Sequence, residues 1–135
     1  MVDQKEHAKR RRLPVEQRRA QILDVAGELF AEHGYYGVST HAVAQECRVS
    51  EGLLFHHFPS KAEIYAAVVE RRLSQLDAEM DQAIAQLPPN SPKRDTVRAL
   101  VVTYLDHIAA DPLSWAAVTR GDTPAEAQFV GIERR

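Results

Sequence analysis

The chain has 135 residues, 44% of them hydrophobic, with a formal net charge of -2 and a single cysteine, Cys47. That length fits one domain, or a small domain with part of another. The composition excludes disorder throughout, a bilayer-spanning apolar run and an intramolecular disulfide. The charged N-terminus lacks the apolar stretch of a secretory signal, so the expected location is cytoplasmic.

The charge is unevenly placed. Residues 1–20 hold seven basic side chains, Lys5, Lys9, Arg10, Arg11, Arg12, Arg18 and Arg19, against Asp3, Glu6 and Glu16. The acidic surplus lies downstream, from Asp77 to Glu126. Such a chain suits contact with a polyanion at one end only. Residues 1–13 form a basic arm, read either as a solvated tail or as a segment that reaches phosphates or a minor groove.

Pro14 suits the first turn of a helix. Ile22, Val25, Ala26, Leu29 and Phe30 then follow at i, i+3, i+4, i+7 and i+8, the apolar face of an amphipathic helix. Arg18, Arg19, Asp24, Glu28 and Glu32 fall elsewhere on that wheel. Gly34 is a C-terminal stop.

Ser39 or Thr40 can cap a second, short helix whose narrow apolar face is Val43, Ala44 and Cys47. Arg48 and Val49 make a turn. Ser50 can cap a third helix, 51–57, with Leu54 and Phe58 pointing inward. Pro59 stops it, and Ser60 with Glu63 forms a capping-box pattern for a long fourth helix, about 61–86. Its candidate buried positions are Ile64, Ala67, Val68, Leu73, Leu76, Met80, Ala83 and Leu87. The stretch Ser39–Lys61 is therefore the sequence form of a helix-turn-helix, with residues 14–60 as the DNA-binding domain.

Leu87-Pro88-Pro89-Asn90 is a break. Three further starts pair a capping side chain with proline: Ser91-Pro92, Asp111-Pro112 and Thr123-Pro124. The first opens a helix bearing Val97, Leu100, Val101, Tyr104, Leu105 and Ile108. The second carries Leu113, Trp115, Ala116 and Val118. No strand pattern of any length appears, so the expected class is all-α. A three-helix domain with a helix-turn-helix is joined by its long fourth helix to a second helical region, residues 61–135.

Residues 15–70 resemble the N-terminal domain of TetR-family transcriptional regulators. The likeness lies in the first helix ILDVAGELFAEHGYYGVST, the Val49-Ser50-x-Gly52 turn, Leu54, the His57-Phe58 pair and Ser60-Lys61. The resemblance implies a homodimer on a palindromic double-stranded operator, a repressor released when a small apolar or aromatic ligand binds the C-terminal domain.

Carried over residue by residue, it implies DNA contacts at Thr40, His41, Ser50, Glu51, Gly52, Leu53, Phe55, His56, His57 and Lys61. Thr40 and Lys61 match phosphate-binding positions. Four residues depart from the family pattern: Arg48 for glycine, Glu51 for lysine, Leu53 for threonine and Phe55 for tyrosine. Glu51 would suit a cytosine amine and Leu53 a thymine methyl. Tyr65, Met80, Tyr104, His107 and Trp115 are candidates for an apolar ligand site or for ordinary core. The later helices of the resembled family are missing, so Tyr104, Leu105 and Trp115 are expected to stand uncovered and to favour self-association. The alternative function is an all-α interaction module, or truncated regulator, that acts through a full-length partner and does not grip DNA alone.

No metal or cofactor is expected. The six histidines lack HxxxH spacing, and no CxxC exists. No nucleophile elbow, phosphate loop or useful acid pair argues for an enzyme. Cys47, on a core face, is expected to be a buried inert thiol.

Overall fold

The computed structural model describes residues 13–119, with burial described through residue 116. The basic arm to residue 12 and the Thr123-Pro124 start lie outside the described residues. Within them, six helices follow in order: α1 Val15–His33, α2 Thr40–Cys47, α3 Glu51–His57, α4 Lys61–Ala85, α5 Lys93–Ala110 and α6 Pro112–Thr119.

The first helix buries Ile22, Leu23, Ala26, Gly27 and Phe30 against α2 and α4. Gly34 ends it with φ 74°, and its N–H donates to the Phe30 carbonyl at 2.9 Å. The loop after it is held by aromatic rings. Tyr35 stacks on Phe30 at 5.9 Å, and both meet Tyr65 of α4 edge-on, at 5.3 and 5.2 Å. Such offset and T-shaped pairs add to the stability that burial alone gives.

Three serines start the next three helices. Ser39 accepts from the Ala42 N–H, Ser50 from the Leu53 N–H and Ser60 from the Glu63 N–H, at 3.0 to 3.2 Å. Each supplies a partner to an N–H that the helix cannot satisfy itself. The cap of α2 is thus Ser39, and Thr40 is its first helical residue. At the other end of α2, Arg48 is left-handed, φ 56° and ψ 42°, and the Val49 N–H reaches the Ala44 carbonyl at 3.0 Å. This closure turns the chain sharply into α3.

Val43, Ala44 and Cys47 of α2, Leu54 of α3 and Phe58 then close over α1. The core is completed by Ala62, Ile64, Tyr65, Ala67 and Val68, so the first two turns of α4 belong to it. Arg71 links α4 to α1, pairing with Asp24 at 2.8 Å and donating to the Ala20 carbonyl at 3.4 Å.

Several side chains sit where the helical wheel did not put them. Arg18 is buried, 6% exposed, and donates to Gln21 at 2.7 Å. Its long stem can cover apolar surface while its head finds partners, which a wheel of residue types does not represent. Leu73 is 38% exposed, whereas Leu76, three residues further along α4, is buried. Ser91 does not cap α5; its hydroxyl donates back to the Pro88 carbonyl, and Pro92 stands at the cap position. Asp111 does behave as a cap, accepting from the Ser114 N–H at 3.4 Å, and it pairs with Arg72 of α4.

The second part is thinner. Helix α5 packs on α4 yet has no buried residue. Val97, Val101, Val102 and Leu105 are at least half exposed, and Tyr104 is 41% exposed. Trp115, expected to stand uncovered, is buried at 7% because α6 folds back against α1.

Candidate nucleic-acid interface

The expected contact residues fall on one surface formed by the start of α2, the turn and the outer side of α3. Leu54 and Phe58 anchor α3 inward, fully or almost fully buried. This leaves Gly52, Phe55 and His56 exposed, with Glu51, Leu53 and His57 half-buried. His41 and Ser50 are exposed beside them, and Thr40 is half-buried. Because Ser39 does the capping, the Thr40 hydroxyl is not needed for that task.

One pair crosses between the two short helices. His41 Nδ1 and Glu51 Oε1 lie 2.8 Å apart, with side chains 73% and 43% exposed. Facing a carboxylate, Nδ1 carries the proton and donates. Two of the expected DNA-contact residues therefore touch each other.

Lys61 is half-buried at the start of α4. Its ammonium donates to the carbonyls of Tyr35 and Val38, both at 3.0 Å, and stands over the Tyr35 ring at 4.3 Å from its centre. An ammonium has three donors. Two of them tie the loop between α1 and α2, so this lysine has a structural task as well as its expected one at phosphate. Tyr36 lies 5.9 Å from the same ammonium and is 76% exposed. Two adjacent tyrosines, one needed for the core, are the signal in the sequence that the other points outward.

The electrostatics of the rim follow from its neighbours. Arg19 stands over the Phe58 ring at 4.4 Å, a cation–π contact at the end of α3. Burial is the largest cause lowering the His57 pKa, followed by the charges of His56, Arg18 and Arg19. The rings of His56 and His57 are 82° apart, which suits separate partners rather than one shared ion. Burial pushes the Cys47 thiol up from its ordinary value, with Arg18 opposing and Glu46 adding to the rise. A thiol held protonated and 2% exposed is a poor nucleophile.

Glycine has two different meanings here. A Cβ on Gly37 would lie 2.2 Å from the His33 carbonyl oxygen, so the loop requires glycine. A Cβ on Gly52 would meet only the Ser50 hydroxyl at 3.8 Å, so the fold does not require it there.

Among the described residues, the ligand candidates lie in different surroundings. Tyr65 is in the core of the first domain. Tyr104 is exposed. His107 and Trp115 do meet, ring centres 5.6 Å apart, and His107 Nδ1 bonds Glu79 at 2.8 Å. Met80 is half-buried. The crevice lined by Gly27, Phe30, Ala31, Tyr65, Val68, Val69, Arg72 and Ser114 has room for about one water molecule. Among the described residues no group of three or more His, Cys, Asp and Glu could hold a metal, and no helix is long and apolar enough to cross a membrane.

Residues 22–68 match the sequence family of bacterial regulatory proteins, tetR family. The HTH-type transcriptional activator FasR of Mycolicibacterium smegmatis is 33% identical over 117 residues, covering 87% of this chain and 52% of that protein. The HTH-type transcriptional regulator UidR of Escherichia coli is 39% identical over 51 residues, 38% of this chain and 26% of that protein. A TetR-like transcriptional regulator from Rhodococcus sp. RHA1 superposes with a TM-score of 0.73 at 26% identity, covering 91% of this chain and 66% of that one. The chain thus spans about half the length of the first of these relatives.

Proposed function

Because the chain belongs to the tetR family of bacterial regulatory proteins, we propose that it is a sequence-specific DNA-binding regulator of transcription. It acts as a repressor by occupying an operator. Helix α3 enters the major groove with the first turn of α2 at its rim. Thr40, Ser50 and Lys61 meet phosphates; His41, Glu51, Leu53, His56 and His57 face base edges, and Phe55 packs against the groove wall. The observation that carries this reading is the single surface on which His41, Ser50, Glu51, Gly52, Phe55 and His56 stand exposed while Leu54 and Phe58 anchor the helix beneath.

A homodimer would set two copies of α3 about 34 Å apart, one turn of duplex, and so require a palindromic site. The exposed apolar residues of α5 support self-association. Release by a small apolar or aromatic ligand completes the proposal; α4 joins the neighbourhood of His107 and Trp115 to the core beneath α3.

A second reading is a module that pairs with a full-length relative and does not hold DNA by itself. The apolar surface of α5 and the loss of polar contacts at Leu53 and Phe55 favour it. Titrating the chain against duplex from its own upstream region over a range of salt separates the two. A specific complex whose affinity falls steeply with salt supports the repressor. Equal, weak binding to every duplex supports the second reading.

A further inference from the structure

His41 and Glu51 come from different helices, the second position of α2 and the first of α3, and meet through one ring nitrogen and one carboxylate oxygen. A carboxylate at the entrance to a groove lined by phosphates is repelled unless donors satisfy it. His41 supplies one donor on Oε1. The second oxygen still needs one, and Gly52, which follows, has no side chain to shield it. In the major groove, guanine presents two acceptors and thymine an acceptor beside a methyl group. Adenine presents a donor flanked by an acceptor, whereas cytosine presents its N4 amine alone.

From this we infer that His41 and Glu51 form a single base-reading unit that selects cytosine. Glu51 accepts from the N4 amine, and His41 is the positioning residue that fixes the carboxylate. The guanine paired with that cytosine is not the target, because its O6 and N7 would face a carboxylate as acceptor against acceptor. The inference rests on the DNA-binding reading above and makes it specific at one base pair of each half-site.

The experiment is selection by the full chain from a duplex library randomised across the half-site, followed by titration of the selected site and its single-base variants. Wild type should enrich cytosine at one position, with about ten-fold discrimination over the other bases. Glu51→Gln should move that position to adenine, the base an amide reads in two contacts. His41→Ala should reduce discrimination at that position alone, with the salt dependence of binding unchanged. His41→Asn, which keeps a donor, should restore part of it. A cytosine preference that survives Glu51→Gln overturns this inference and leaves the DNA-binding reading standing. Wild type that binds no duplex in a salt-dependent manner overturns both.

Discussion

The ammonium of Lys61 donates to the carbonyl of Tyr35 at 3.0 Å and stands 4.3 Å from the centre of the same residue's ring. The residue expected to meet phosphate is thus also the clasp of the loop that leads into α2. Lys61→Ala should lower unfolding free energy by about 2 kcal/mol, the scale of charge-assisted hydrogen bonds. It should also weaken DNA binding by the same factor on every sequence. Urea denaturation and salt-dependent titrations on two unrelated duplexes check this. Unchanged stability would mean that the loop does not need its clasp.

Arg48 carries backbone strain. Its φ of 56° is a conformation that costs a side chain with a Cβ roughly 1–2 kcal/mol. Arg48→Gly should therefore raise the urea midpoint, by about 1 kcal/mol in unfolding free energy. Arg48→Val should lower it. A destabilised glycine variant would show that the arginine side chain contributes more than the strain costs.

Gly37 and Gly52 separate folding from binding. Gly37→Ala should lose about 2 kcal/mol or more, since its methyl would overlap the His33 carbonyl. Gly52→Ala should fold as well as wild type, gaining about 0.5–1 kcal/mol of helix stability, yet bind DNA less tightly where the backbone enters the groove. Thermal unfolding and duplex titration on the pair of variants give both readouts. Full affinity in Gly52→Ala would remove that residue from the interface.

Two groups make stability rise with pH, through different windows. His57 titrates below its ordinary value in the folded state, chiefly because burial disfavours its charge. The unfolded chain therefore takes up a proton first, and stability is lost as pH falls from about 6.5 through the lower folded value. For Asp111, burial raises the pKa, but its bonds to Arg72 and Ser114 outweigh burial and hold the carboxyl below the usual range. Its contribution is complete above about pH 3.9, the unfolded value, and disappears as pH drops through the folded one. His57→Gln should flatten the stability profile below pH 6.5. Asp111→Asn should cost stability at pH 7 and nothing once both states are protonated. Denaturant midpoints across the pH range measure both.

The apolar surface of α5 predicts concentration-dependent association. Leu105→Lys together with Val101→Lys should shift the chain toward monomer in sedimentation and leave thermal unfolding of the DNA-reading part unchanged. A wild type that stays monomeric across concentration would sink the homodimer.

Much of the first domain was legible because its signals are local. Serine before a helix, glycine after one and a period of 3.6 depend on near neighbours, so Ser50, Ser60, Gly34, Ile22 and Leu54 fell where expected. Arg18 did not, because its burial depends on what α2 and α3 bring over it. Trp115 and Tyr104 looked alike in sequence, yet only the tryptophan is covered. The difference is the fold-back of α6 onto α1, a contact between distant parts of the chain. The candidate interface was legible as a set of positions. The His41–Glu51 and Lys61–Tyr35 contacts were not, since each joins residues whose nearness only the folded backbone creates.

The sharing of α4 decides where the reading head can be cut. Its first two turns supply Ala62, Ile64, Tyr65, Ala67 and Val68 to the same core as Ile22 and Leu54. A fragment ended at residue 60 would strip one wall from that core, along with the Lys61 clasp and the ring that Phe30 and Tyr35 meet edge-on. A piece that keeps this core must run at least through Val68, and Arg71, bonded to Asp24 and the Ala20 carbonyl, adds a further tie to α1. The proposed reading head and the later helices therefore share one continuous helix, α4, and neither can be replaced wholesale without carrying some of the other.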